Sequence, residues 1–141
     1  MAAENTTTIT VKTSINASIE KVWQCFTMPQ HITQWNNASP DWHCPKAEND
    51  LRIGGKFSYN MAAKDGSASF DFWGIYDDIL ENELIMSTLG DGRKLKVTFA
   101  SIGDITEVVE NFEAEDENPI ELQQSGWQAI LNNFKNHTET I

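Results

Sequence analysis

Basic residues are scarce in this chain. Ten Lys and Arg stand against 21 Asp and Glu, a formal net charge of -11 at pH 7. Nucleic acid is therefore disfavoured as a partner, because phosphate binding rests on clustered Lys and Arg. Anionic membrane surfaces are disfavoured for the same reason. Cysteine is nearly absent: Cys25 and Cys44 are too few for a disulfide framework in a chain of 141 residues. No apolar run approaches the length of a membrane span, and Met1, Ala2, Ala3, Glu4, Asn5 and Thr6 lack the basic and apolar regions of a signal peptide. These absences predict a cytoplasmic protein with both thiols reduced.

Hydrophobic residues make up 40% of the chain and five are Trp, enough for a sizeable core. The length predicts one domain over residues 1–141, with 1–6 flexible. The acidic excess thickens between Glu107 and Glu121, where Glu113, Glu115, Asp116 and Glu117 also fall. A solvated strand end and loop explains that run better than a docking surface for a basic partner.

The last quarter of the chain is the most legible. Asn118-Pro119-Ile120-Glu121 precedes a segment holding Gly126, Trp127, Ile130, Leu131 and Phe134. Asn118 is suited to accept from first-turn N–H groups, Pro119 to the first helical position, and Glu121 completes a capping-box spacing. Leu122, Trp127, Ile130, Leu131 and Phe134 fall near one face of a 3.6-residue period, so the helix must lie on an apolar surface. Gly126 is read as permitting close approach of helix to sheet. His137 is read as serving the helix C-terminus.

The middle of the chain supplies that surface. Ile9, Val11, Thr13 and Ile15 alternate with Thr10, Lys12 and Ser14, the pattern of a half-buried strand. Ser18 can cap a helix carrying Ile19, Val22, Trp23 and Phe26, and a second short helical turn follows Pro29 toward Trp35. Residues from Asn36 to Pro45 read as loop, and Gly54-Gly55 as a bend or bulge. Phe57, Tyr59 and Met61 then share one face, Asp65-Gly66 signals a two-residue hairpin, and Phe70, Phe72, Gly74 and Tyr76 share a face on the return strand. Further strands are expected over Glu83 to Leu89, through Leu95, Val97 and Phe99, and through Val108, Glu110 and Phe112. Turn signals at this density predict an antiparallel meander, and the whole an α+β layer with room for a ligand between sheet and helix.

The run Asp50-Leu51-Arg52-Ile53-Gly54-Gly55-Lys56-Phe57, then Gly74, then Asn118-Pro119 and Gly126-Trp127, resembles the START-like helix-grip superfamily, also called SRPBCC. Within it the chain resembles the activator-of-heat-shock-protein-90-ATPase-homologue family in its stand-alone single-domain form. The likeness runs from Val22-Trp23 through Phe26-Thr27 and Trp35 to the terminal helix. It implies a curved antiparallel sheet of about six or seven strands wrapped around a long C-terminal helix, with two short helices after the first strand and a cavity between sheet and helix. Relatives of this fold bind lipids and other hydrophobic molecules, some cyclise polyketides, and one branch is a co-chaperone active in stress response. The eukaryotic co-chaperone carries a separate N-terminal domain for which this chain has no room. Trp73 departs from the family pattern, which has an acidic residue there. It lies on the opposite strand face from Phe70 and Phe72, where an exposed aromatic is expected.

The candidate ligand-binding residues are Trp35, Phe57, Tyr59, Met61, Phe70, Phe72, Phe99, Glu110, Trp127 and Leu131. The plainer alternative is that the aromatics simply fill the core. Glu110 is the sharpest single residue. With Val108 and Phe112 inward, strict alternation points Glu110 inward too, and a buried carboxylate needs a partner or an altered pKa. Tyr59 is its candidate partner by face, and a hydrogen bond to Tyr59 or Trp127 is the structural alternative. One carboxyl and one phenol make a thin constellation for general acid–base work. The residues leave enzymatic activity open but lean against it.

His43 and Cys44 adjoin Asp41, with His31 upstream, in a spacing that matches no zinc pattern. Neither Gly54-Gly55 nor Gly90-Asp91-Gly92 has the form of a phosphate loop. No metal and no cofactor are expected. The leading reading is a binder of a small hydrophobic or amphipathic ligand. A chaperone-interacting regulator and a cofactor-free cyclase or hydrolase are the alternatives, and the oligomeric state stays open between monomer and weak dimer.

Overall fold

The computed structural model describes residues 7–141, so the expected flexibility of residues 1–6 lies outside the described residues. The elements are β1 (Thr8–Ile15), α1 (Ile19–Thr27), α2 (Pro29–Trp35), β2 (Trp42–Asn49), β3 (Lys56–Ala63), β4 (Ser69–Leu80), β5 (Leu84–Leu89), β6 (Lys94–Ile102), β7 (Ile105–Glu113) and α3 (Ile120–Thr140). The seven strands form one antiparallel sheet in the order β1-β7-β6-β5-β4-β3-β2. The sheet curls into a half-barrel around α3. From β2 to β7 it is a meander, and α1 with α2 carries the chain from one sheet edge to the other. Among the described residues no helix is long and apolar enough to cross a membrane.

Local chemistry accounts for these elements. In β1 the apolar Ile9, Val11 and Ile15 point inward, while Thr10 and Lys12 face water. The Ser18 hydroxyl accepts from Lys21 N at 3.3 Å and caps α1. Pro29 opens α2, and the Trp35 indole donates to the Cys25 carbonyl at 2.9 Å, fastening α2 to α1. Helix α3 also lies along the free edge of β1. Gln124, Gln128 and Lys135 donate to the carbonyls of Thr10, Lys12 and Ser14 at 3.3, 3.1 and 2.8 Å. Alternate carbonyls that an edge strand would otherwise present are thereby satisfied.

Three local expectations are corrected. Residues 42–45, read as loop, begin strand β2. Pro45 sits where the β2–β3 register shifts between His43 and Lys46, and on an edge strand its missing N–H breaks no inner ladder. The Asp65-Gly66 hairpin is wider than two residues. Ala63 N donates to Ala68 O at 2.9 Å, and Asp65 Oδ1 accepts from Ser67 N at 2.8 Å.

The third correction concerns the start of α3. Pro119 occupies the N-cap position and the helix begins at Ile120. Asn118 lies one residue before the cap and does not cap the helix; its backbone N–H and side-chain amide donate instead to the Glu115 carboxylate at 2.7 and 3.1 Å. Buried Gln123 takes over the junction, accepting from Glu115 N at 2.9 Å and donating to Asn118 O at 2.8 Å. Glu121 and Leu122 face solvent, Leu122 with 59% exposure, while Leu131, Phe134 and Thr138 are buried. Gly126 makes no close approach, since a Cβ there would meet nothing within 4 Å.

Candidate ligand cavity

Between the concave sheet face and α3 lies a cavity of about 210 Å³. Phe57, Tyr59 and Met61 of β3 and Phe70, Phe72 and Tyr76 of β4 form one wall. Trp127 and Ile130 of α3 close the opposite side, together with Phe26, Thr27, Trp35 and Asn36 at the ends of the short helices. Ile85 and Ser87 of β5, Leu95 and Val97 of β6 and Glu110 of β7 complete the lining.

The wall is an aromatic mosaic. Phe57 lies with its ring centroid 5.1 Å from that of Tyr59 and 6.0 Å from that of Phe72, and Phe72 meets Trp127 edge-on at 5.8 Å. Gly74 makes room for this packing. It pairs with Phe57 across the β3–β4 ladder, and a Cβ there would stand 2.7 Å from the Phe57 ring and 2.9 Å from Thr88 O.

Two polar features interrupt the apolar lining. At one pole, the Tyr76 hydroxyl donates to Asn49 Oδ1, and Asn49 Nδ2 donates to Thr27 O at 2.6 Å. Burial pushes both tyrosines up, Tyr76 to about 12 and Tyr59 well above its ordinary value. At the other, Glu110 is 8% exposed and stands directly between Val11 of β1 and Val97 of β6. Burial alone pushes its pKa up to about 8, so it is mostly the neutral acid at pH 7. On β5, the buried Ser87 hydroxyl, which lines the same cavity, has no hydrogen-bond partner.

The alternation of β7 thus places Glu110 inward, as its neighbours Val108 and Phe112 required. Three strands, β4, β5 and β6, stand between Tyr59 and Glu110 in the sheet, and burial is the one cause of the Glu110 shift. Trp35, Phe57, Tyr59, Met61, Phe70, Phe72 and Trp127 join Glu110 around the cavity, whereas Phe99 and Leu131 lie in the core. Phe99 packs edge-on against Trp23 and Phe26 with centroids at 5.1 and 5.4 Å. Sequence reasoning missed Ser87, although a serine at an inward position between Ile85 and Leu89 was the available signal.

The other singled-out residues lie elsewhere. Cys44 is buried and its thiol donates to Lys46 O at 3.4 Å. His31 has no part in the His43–Cys44 pair. Its Nδ1 stands 3.0 Å from Nε2 of His137, which burial first, then His31 and Lys21, holds below the ordinary histidine range. His137 stands in the last turn of α3, where it was expected to serve the helix C-terminus. Trp73 is 39% exposed, with Lys56 Nζ 4.7 Å from its ring centre.

Residues 16–139 match the family model described as activator of Hsp90 ATPase homolog 1-like protein. The solution structure of an AHSA1-like protein from Aeromonas hydrophila is 42% identical, covers 94% of this chain and 92% of its own, and superposes with a TM-score of 0.89. A solution structure from Cytophaga hutchinsonii is 57% identical over 93% of this chain and 91% of that one, with a TM-score of 0.81. A crystal structure from Chromobacterium violaceum, 24% identical over 96% and 99% of the two chains, shares the fold with a TM-score of 0.86. Among curated proteins none matches the chain. With the motifs, the curled sheet and the gripped helix in agreement, the chain belongs to the activator of Hsp90 ATPase homolog 1-like family.

Proposed function

We propose that this protein binds a small apolar or amphipathic molecule in the cavity beneath α3. The observation that carries the reading is an aromatic-walled space of about 210 Å³ with a buried, mostly protonated carboxyl at one pole. A cavity of about 150 Å³ lined by apolar side chains holds benzene, which sets the scale. A substituted single ring or a short acyl chain suits the space, and its carbonyl or ether oxygen would accept from Glu110. The two unpaired cysteines fit the reducing cytoplasm as the working compartment.

The test is a thermal-shift and Trp-fluorescence panel of phenols, aryl ketones and short fatty acids against the wild type and Ser87→Leu. Ligands should raise the melting temperature of the wild type by mass action and quench Trp emission. Ser87→Leu, which puts bulk into the cavity, should lose both effects while remaining folded. A panel with no shift on the wild type, or equal shifts on both proteins, overturns the reading.

One observation favours the second reading, a regulator that contacts an Hsp90-type chaperone. Leu51 and Ile53 sit exposed in the turn before β3, Ile53 at 63%. Paired Leu51→Asp and Ile53→Asp changes should abolish any capture of such a chaperone and leave ligand shifts intact. If the wild type captures none, this reading falls.

A further inference from the structure

Away from the Glu110 pole, the three helices bring together donors that the sequence scatters. Cys25 comes from α1, His31 from α2 and His137 from α3, and their sulfur and ring nitrogens all lie within 4.8 Å of one another. His31 Nδ1 and His137 Nε2 are 3.0 Å apart, with the rings inclined at 64°. Around one tetrahedral zinc ion, ordinary Zn–N and Zn–S lengths put paired donors about 3.4 Å (N to N) and about 3.6 Å (N to S) apart. The nitrogen pair falls on that scale, and the sulfur, within 4.8 Å of both nitrogens, closes the triangle by approaching up to about 1 Å.

A second, independent observation marks the sulfur corner. The hydroxyl of Thr138 is fully buried and makes no hydrogen bond. It faces the Cys25 thiol, to which a small shift would let it donate. A donor held beside a ligand sulfur is the kind of outer contact that orients and stabilises a metal thiolate. Cys25 itself is buried, while the two imidazoles are half-exposed, so an ion has a route in past the histidines and room for water as a fourth ligand.

We infer that Cys25, His31 and His137 form a zinc site that staples α1, α2 and α3 at one end of the fold. One sulfur and two imidazoles suit zinc in donor type, and three protein ligands leave the open position that water fills. Binding displaces the thiol proton to solvent as the Zn–S bond forms, with no change of oxidation state. The site does not depend on the cavity reading.

The experiment uses metal-free full-length protein, titrated with Zn(II) against a chromophoric chelator and with Co(II) as an optical probe. The wild type should take up one ion per chain, show a thiolate-to-cobalt charge-transfer band and melt at a higher temperature with zinc. His31→Gln and His137→Asn should each lower zinc affinity at least tenfold, and Cys25→Ser should abolish the charge-transfer band. If Cys25→Ser fails to fold, the band's loss in the double histidine variant, checked for native circular dichroism, serves instead. A wild type that binds zinc no more tightly than the double histidine variant overturns the site, as does a cobalt complex without the thiolate band. Stoichiometric Cu(I) uptake with no zinc uptake overturns the assignment to zinc.

Discussion

Trp127 of α3 lies flat on Phe112 of β7, with ring centroids 3.8 Å apart and planes 15° from parallel. Phe112 is fully buried, whereas Trp127 also borders the cavity. That stack is the main aromatic contact by which the helix holds the sheet. Trp127→Ala should cost about 3 kcal/mol, the low end for an aromatic truncation because the cavity already relieves one side. Urea unfolding measures it, and an unchanged midpoint means that α3 does not depend on the stack.

One residue earlier, the expectation reverses. Gly126 is inside a helix with nothing within 4 Å of where a Cβ would stand. Gly126→Ala should therefore stabilise the protein by about 0.5–1 kcal/mol, the helical cost of glycine. A lowered melting temperature would show that the helix sits closer to its neighbours than described.

Gly74 behaves in the opposite way. Its missing Cβ is space already used by Phe57 and by the rigid Thr88 carbonyl. Gly74→Ala should destabilise by about 1–3 kcal/mol through overpacking. It should also weaken ligand binding, because the displaced Phe57 ring lines the cavity. Equal ligand shifts in variant and wild type would contradict this.

Glu110 makes stability depend on pH in a definite direction. Its folded pKa of about 8 lies above the ordinary 4.5, so between those values the folded state holds a proton that the unfolded chain releases. The neutral carboxyl's stabilisation is fully present below pH 4.5 and is lost as pH rises toward 8. Relative to Glu110→Gln, the wild type should lose on the order of 3 kcal/mol between pH 4.5 and 7. Denaturant midpoints of both proteins across that range would show it, and parallel curves would place the carboxyl in water.

The strands that sequence revealed are those whose alternation water enforces. Ile9-Val11 and Val108-Glu110-Phe112 each have one wet and one dry face, and the inward carboxyl was legible because its neighbours left it no choice. Strand β2 was not legible. At its start Trp42 is half-buried and His43 and Pro45 are exposed, so only Cys44 marks an inner face. Asn118 misled because the helix starts one residue later than the spacing suggested, with Pro119 at the N-cap and the Asn118 amide held on Glu115. The cavity's aromatic wall was read from β3 and β4, but period-2 patterns do not separate wall from core, which is why Phe99 was drawn in. The His31–His137 contact spans 106 positions and leaves no local trace.

The edge of β1 also carries a kinetic consequence. Its ladder partner is β7, and the side chains that cover its other edge come from α3, with Gln128 reaching Lys12 across 116 positions. The earliest strand of this sheet along the chain is thus the last to be enclosed. Closing contacts over such separations is slow, so this domain belongs among folders of millisecond-to-second rates. Until α3 docks, β1 is an open template for strand addition by other chains, and that interval is when the nascent protein is most exposed to aggregation.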